Sequence, residues 1–279
     1  MSVPFKRRFG FELEFLRDST NRTKLVRAIR TVAGEVAESC EYGHQNNNSE
    51  WVAKTDASCG FEVASRVMSS ATDLRKGVEV VQAISRSGAR VDQRCGFHVH
   101  VEIADFDEAK LADMVQWWVK FERFITDVLS PTRKNNVYCR QVGREFRGNQ
   151  QYDTNTTLRS NFGRNALNSS LADFATTAAS GRRRVEFRIA QGTNDFVDVK
   201  NWVRFLLTFV EFARTAGRPE NVNYLLPKEI FDKLGLLNSN ISSGLTEMRT
   251  WLLDSALKNA EDDLDRKLIK HLQSQLCDD

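Results

Sequence analysis

The chain has 279 residues, with 40 Lys and Arg against 37 Asp and Glu. A chain of this length buries roughly three quarters of the surface that its unfolded form exposes, so it needs no disulfides or metals merely to fold. The formal net charge of +3 does not favour a nucleic-acid binder. No apolar run reaches membrane-spanning length, and the start MSVPFKRRFG lacks the apolar stretch of a signal peptide. These features predict a cytoplasmic protein without a membrane partner.

The cysteines are dispersed and never form a CxxC pair, which excludes a zinc knuckle. Their odd number is typical of reduced thiols: Cys40, Cys59, Cys95, Cys139 and Cys277. We interpret Cys59 and Cys95 as packing residues, because no thiolate-stabilising base or oxyanion hole is identifiable for either.

The first element is RFGFELEFLR, residues 8–17, in which apolar residues occupy every second position. This period of two predicts a half-buried strand. Apolar residues at helical spacing from Leu25 onwards predict a helix that continues through Val36, with Ser19 or Thr20 as its N-cap.

The next elements lie on either side of the turn TDASCG. Residues 50–54 and 60–65 predict short strands, and a helix follows from about Ala71 to a C-terminal cap at Gly88. The segment CGFHVHVEI, residues 95–103, alternates strictly and predicts another strand.

A long helix is predicted over 107–129, followed by a polar stretch, 131–183, without clear periodicity. Loops of that length in a compact domain are usually functional or disordered, and we interpret this one as a substrate-binding lid. RRVEFRIAQ, residues 183–191, predicts a strand, and 198–216 predicts a helix. The rest of the chain, after Pro219, is expected to be helical only.

Strands alternating with helices could indicate a doubly wound parallel sheet. However, the strands here are apolar on one face only, whereas central parallel strands are usually apolar on both. The pattern therefore favours an α+β fold, with a mostly antiparallel sheet, helices on one face and an open polar face. We expect a catalytic domain over 1–217 and a C-terminal helical extension over 218–279.

The polar faces of these strands carry the residues that could bind a metal ion or take part in catalysis. They are Glu12 and Glu14; Glu62; His98, His100 and Glu102; and Glu186 with Arg188. Residues two apart on a strand point to the same side, so neighbouring strands would place all five carboxylates on one surface. Negative charge of that density raises the free energy of the folded protein unless it is compensated, and divalent cations would compensate it. Oxygen-rich ligation selects Mg²⁺ or Mn²⁺ rather than Zn²⁺.

Each of these short motifs, taken alone, also has a simpler interpretation. An ExE pair is often only the solvent face of a strand, and an ExR pair is often a cross-strand ion pair. Two rival functions therefore stay open at this point. One is a metal-dependent hydrolase that activates water, and the other is a non-catalytic binding module.

Five motifs follow one another along the chain: FGFELEF, WVAKTDASCGFEVAS, CGFHVHV, PTRKNNVYC and RRVEFRIAQGTND. Over residues 8–216 this set resembles the amidoligase family of the carboxylate–amine ligases, whose relatives include glutamine synthetase and glutamate–cysteine ligase. The resemblance implies a glutamine-synthetase-like domain that binds ATP and two or three Mg²⁺ or Mn²⁺ ions. It implies ATP-dependent amide formation through an acyl phosphate. The sequence contains no GxxxxGK[ST] or GxGxxG motif, so we do not expect a phosphate loop or a Rossmann turn to bind the nucleotide.

The resemblance also implies roles for individual residues. The metal ligands it implies are Glu12, Glu14, Glu62, His98 and Glu186. The catalytic set is Arg188, which matches the arginine that contacts the transferring phosphate, together with Glu186 and His100. The nucleotide-binding candidates are Arg188, Arg184, His100, Arg133 and Lys54. One departure is visible, since the family commonly has Ser-Pro where this chain has Ser65-Arg66.

The expected partners are carboxylate- and amine-bearing substrates, such as an amino acid, a peptide, or a protein or cell-wall component that receives a tag. Amidoligase-like proteins also suggest a glutamine amidotransferase or cyclotransferase partner. Further basic residues of the polar stretch could contact phosphates: Lys134, Arg147, Arg159, Arg164, Arg182 and Arg183.

Overall fold

A computed structural model describes residues 2–34, 36–38, 49–133, 136, 139–145, 167–168, 183–221 and 223–277. The chain divides into two units. The sheet unit comprises Phe5–Glu102 and Glu186–Val203, and the helical unit comprises Met1–Pro4, Ile103–Val185 and Arg204–Asp279.

The strands are β1 (Phe9–Leu16), β2 (Val36–Glu38), β3 (Trp51–Thr55), β4 (Gly60–Ala64), β5 (Gly96–Glu102), β6 (Leu167–Asn168) and β7 (Arg184–Gln191). The α-helices are α1 (Arg22–Ala33), α2 (Ala71–Arg86), α3 (Glu108–Val128), α4 (Val142–Glu145), α5 (Phe196–Thr215), α6 (Pro227–Lys233), α7 (Ser243–Asn259) and α8 (Asp263–Cys277). A 3₁₀ turn covers Pro131–Arg133. The predicted strands and long helices are confirmed within a few residues.

The sheet unit is built around β1. Its strand order is β2-β3-β4-β1-β5-β7, and β1 pairs antiparallel with β4 on one side and β5 on the other. β3 pairs antiparallel with β4, while β2 and β3 are parallel. The α+β class with a mostly antiparallel sheet is therefore confirmed.

One face of this sheet is apolar and buried, as the period of two predicts. Phe11 is 1% exposed and makes edge-to-face ring contacts with Trp51 and Phe97, at centroid distances of 5.7 and 6.0 Å. A side chain on Gly77 of α2 would touch the Phe11 ring at 3.2 Å, so this helix packs on the apolar face. The polar residues of the same strands are thereby held on the opposite face.

Two expectations for α1 are wrong. The helix ends at Ala33 rather than passing through Val36, because Gly34 adopts a φ of 78°, which turns the chain into β2. Its N-cap is Asn21, whose side chain accepts from the backbone N–H of Lys24 at 3.0 Å.

The helical unit packs around aromatic residues of α3 and α5. The Trp118 and Phe121 rings each lie 5.4 Å from the Phe209 ring. The C-terminal helices join this packing, since Arg123 of α3 forms an ion pair with Asp265 of α8 at 2.9 Å.

The domain boundary at 217 stays a prediction. None of the described helices has both the length and the apolar character that a bilayer span requires.

Candidate active site

The register of β1 with its neighbours aligns the polar residues of four strands. Glu14 of β1 lies opposite Glu62 of β4, and Glu62 in turn lies opposite Lys54 of β3. On the other side of β1, Glu12 lies opposite His98 of β5. Directly paired residues on one face have side chains about 5 Å apart, so local strand pairing is enough to assemble these groups.

The tightest part of the site joins β1, β5 and β7. The ligand atoms of Glu12, His100 and Glu186 all lie within 4.8 Å of one another. The Nε2 atom of His100 lies 3.3 Å from a carboxylate oxygen of Glu12. The Nδ1 atom of His98 lies 3.4 Å from Glu12 and 3.6 Å from Glu186. Two imidazoles therefore separate two carboxylates that would otherwise repel each other.

His98 also reaches Glu14, whose Oε1 lies 3.8 Å from its Nε2 atom. The second oxygen of Glu14 accepts a hydrogen bond from the backbone N–H of Gly96 at 2.6 Å. A Cβ atom on Gly96 would lie only 2.6 Å from the His98 ring, so the absence of a side chain there makes room for the imidazole.

Two cations lie beside carboxylates on the same face. The Arg188 guanidinium donates a hydrogen bond to Glu186, two residues earlier on β7. The Lys54 ammonium lies 2.8 Å from Glu62. The sequence motif ExR therefore forms a pair along one strand rather than across two.

The carboxylates of this face differ in their proton affinity. Burial by itself would raise the pKa of Glu12, but His100 and His98 hold the pKa well below its usual range. Burial likewise acts against the charge of Glu186, and His100 and Arg188 overcome it, so that its pKa is also lowered. Glu62 behaves in the opposite way, because burial and the charge of Glu12 raise its pKa to about 8 despite Lys54.

These residues fit a hard divalent cation. Glu12 and Glu186 offer carboxylate oxygens, and His100 offers an imidazole nitrogen within the same small volume. Such a donor set suits Mg²⁺ or Mn²⁺. The sequence prediction named His98 as the metal ligand and gave His100 a less certain role; in the structure both imidazoles lie next to Glu12.

The fifth carboxylate of the predicted set, Glu102, has a cation partner of its own. Glu102 is held by Arg8, whose backbone N–H donates to it at 3.1 Å and whose Nε donates at 2.9 Å. Arg8 precedes β1, so this acid is neutralised at the end of the strand pair. Its alternation with His98 and His100 could not reveal that partner.

Two predicted nucleotide-binding residues fall within the helical unit. Arg133 and Arg184 belong to the helical unit, where Arg133 is buried and Arg184 is exposed. Most of the predicted lid falls outside the described residues, including Lys134, Arg147, Arg159, Arg164 and Arg182.

A group that the sequence prediction missed lies at the β3–β4 turn. Asp56 and Cys59 place an oxygen and a sulfur within 4.8 Å of an oxygen of Glu14. The position of Asp56 beside Lys54 makes it a weaker candidate in the sequence, but its proximity to Glu14 depends on how the turn folds back toward β1.

A comparison with protein families decides the family question. Residues 5–210 match the family described as "Putative amidoligase enzyme". The chain belongs to this amidoligase family.

Two solved structures are similar to this amidoligase. One is the crystal structure of the complex between the prokaryotic ubiquitin-like protein Pup and its ligase PafA, with 12% identity and a TM-score of 0.42 over 99% of this chain. The other is a novel glutamine synthase homolog, with 14% identity and a TM-score of 0.39 over 96% of this chain. This chain spans 64% of the first of those chains and 70% of the second. No curated protein shows significant similarity to it.

The structure also accounts for the departure from the amidoligase pattern after β4. The Ser65 hydroxyl accepts from the backbone N–H of Phe11 at 2.9 Å, which ties the end of β4 to β1. Arg66 forms an ion pair with Asp73 in the first turn of α2. In this chain Arg66, which follows Ser65, therefore connects the end of β4 to α2.

Proposed function

We propose that this chain is an ATP-dependent carboxylate–amine ligase, which activates a substrate carboxylate as an acyl phosphate and passes it to an amine. The observation that carries the proposal is the group of Glu12, His100 and Glu186, with Arg188 beside it. Membership of the amidoligase family supports the class of reaction. The nucleotide, the metal ions and the intermediate are parts of the proposal.

Glu12, Glu186 and His100 would hold Mg²⁺ or Mn²⁺, with Glu14, Glu62 and His98 on the same face as further ligands. When bound, such an ion would neutralise the charge that develops on the phosphate oxygens. The imidazoles keep Glu12 ionised, and an ionised carboxylate is the form that a cation requires.

Arg188 is proposed to bind the phosphoryl group during transfer. A guanidinium presents planar paired donors that match phosphate oxygens. Glu186 accepts a hydrogen bond from one nitrogen of Arg188, which orients the guanidinium. Phosphoryl transfer depends mostly on such positioning and charge stabilisation.

The proposed substrates are a carboxylate and an amine carried by an amino acid, a peptide, or a protein or cell-wall component. An acyl phosphate hydrolyses readily, so a water-excluding cover is expected, and the 131–183 stretch is proposed for that role. Supply of ammonia or amine by a glutamine amidotransferase or cyclotransferase partner is part of the same proposal.

The test is ADP release and product mass in a screen of carboxylates and amines. ADP should form only when ATP, a divalent ion and both substrates are present. Glu186→Gln should lower turnover on the order of 100-fold. Glu102→Gln is the matched control, since this acid is held by Arg8, and it should change turnover by no more than about twofold.

Two outcomes would contradict the proposal. Metal-dependent hydrolysis without nucleotide would favour the hydrolase, in which the HVH motif and its carboxylates activate water. Binding of a partner that is unchanged by Glu186→Gln and weakens steeply with salt would favour a non-catalytic module.

A further inference from the structure

A second group of potential metal ligands lies where the β3–β4 turn meets β1. Oxygens of Glu14 and Asp56 and the sulfur of Cys59 lie within 4.8 Å of one another. All three residues are buried, with exposed fractions of 7–8%. The Cys59 thiol lies 3.4 Å from Glu14 Oε2, within hydrogen-bond distance. Unlike the group around His100, this one contains a soft sulfur donor.

The turn holds these ligands in place before any ion binds. One oxygen of Asp56 accepts hydrogen bonds from the backbone N–H groups of Ser58 and Cys59, both at 2.8 Å. These bonds fix the carboxylate beside Cys59 and leave its second oxygen available for a ligand. Glu14 is fixed independently by the N–H of Gly96. A site on such supports loses little conformational entropy when it binds an ion.

A second thiol adjoins the group. Cys95, directly before β5, packs with Cys59 in a small buried cluster, and neither cysteine is in a disulfide. A metal ion binds the thiolate form of cysteine, so uptake of an ion here would release a proton to solvent. Two sulfurs beside two carboxylates are a donor set that Mg²⁺ does not prefer and Zn²⁺ does.

We propose that Glu14, Asp56 and Cys59, supported by Cys95, form a binding site for a thiophilic divalent cation such as Zn²⁺. Ligands at about 2.0–2.3 Å from a tetrahedral zinc lie under 4 Å apart, and the observed group needs only a small contraction to reach that spacing. The sequence lacks any CxxC signal for it, because the ligands come from two strands and a turn.

Glu14 is shared between this site and the proposed Mg²⁺ site. An ion held by Cys59 and Asp56 would compete for Glu14 with an ion bound on the face that carries His98. The consequence, which rests on the proposed function, is that zinc occupancy removes one carboxylate from the catalytic set.

Cobalt substitution tests the site without any activity measurement. The metal-free protein is titrated with Co²⁺ in the presence of reductant and excess Mg²⁺, and the near-ultraviolet thiolate-to-cobalt absorption is followed. The wild type should develop this band with one ion bound. Cys59→Ser should abolish the band and weaken Zn²⁺ binding at least about tenfold. Cys139→Ser, which changes a buried cysteine of the helical unit that is not in a disulfide, should leave the band unchanged.

A second variant tests the site independently, in case Cys59→Ser does not fold. Asp56→Asn keeps the oxygen that the turn requires but removes a negative charge, so it should weaken Zn²⁺ binding while the thiolate band persists at saturation. A wild type without the band, or a band that survives in Cys59→Ser, overturns the proposal. Both results are independent of ATP turnover, so they separate failure of this site from failure of the proposed ligase reaction.

Discussion

Gly96 should be a sensitive position of the candidate active site. A Cβ atom built there lies 2.6 Å from Nε2 of His98 and 3.4 Å from Oε2 of Glu14. Real side chains do not tolerate the first distance, so Gly96→Ala must displace the His98 ring or the start of β5. The imidazole is 5% exposed, and the buried face leaves it little room to move.

The size of the effect follows from this overlap. Forcing one extra carbon into a packed site costs about 1–3 kcal/mol, and for chains of this size each kcal/mol lowers the melting temperature by about 2–4 °C. His98 lies 3.4 Å from Glu12 and 3.6 Å from Glu186, so moving it disturbs both carboxylates. A misplacement of about 1 Å at such a site can lower turnover by about 100-fold.

Gly10→Ala is the matched control, because Gly10 lies on the same polar face of β1. Its Cβ would meet Ser65 Oγ at 3.3 Å and the Arg66 carbonyl oxygen at 3.8 Å, with no charged group of the candidate site within 4 Å. Thermal unfolding, Mn²⁺ binding and ADP release are measured for both variants. If Gly96→Ala binds Mn²⁺ and turns over as Gly10→Ala does, the assigned role of His98 is wrong.

Three further predictions concern stability. In EDTA, stability should fall between about pH 4.5 and pH 8, because burial raises the pKa of Glu62 to about 8 and the folded protein retains a proton that the unfolded chain has released. Melting curves should show this fall in the wild type, and Glu62→Gln should flatten it; an unchanged slope refutes the assignment. Lys54→Met removes the cation 2.8 Å from Glu62, so its melting temperature should drop more at pH 8 than at pH 5, whereas equal drops would exclude the ion pair as the cause. Asn21→Ala removes the cap of α1 and should lower the free energy of unfolding by about 1 kcal/mol in urea titrations. An unchanged free energy of unfolding would show that Asn21 does not cap the helix.

Much of the fold could be predicted because the decisive pattern is local. Alternation within β1, β5 and β7 fixes which side chains share a face, and this requires no knowledge of neighbouring strands. Strand order and register are not local. The alignment of Glu12 with His98, and of Glu14 with Glu62, became visible only from the pairing of the strands.

The wrong expectations have physical causes of the same kind. Apolar spacing carried α1 through Val36, but the positive φ of Gly34 ends the helix before it. Alternation could predict the face of Glu102 but not its partner Arg8, which is distant in sequence. Asp56 joins Glu14 only because the turn after β3 folds back toward β1.

The polar face has an uneven balance of charge, and this indicates where an added cation would stabilise it most. Near β5 and β7, His100 and Arg188 offset Glu12 and Glu186, and the pKa of each acid is lowered. Toward β3, Glu62 has one ion-pair partner, Lys54, and the charge of Glu12 contributes to its raised pKa. A divalent ion gains the most Coulomb energy where fixed negative charge is least compensated, so binding near β4 should displace the proton of Glu62. Proton release on addition of Mg²⁺ should therefore be larger at pH 7 than at pH 9.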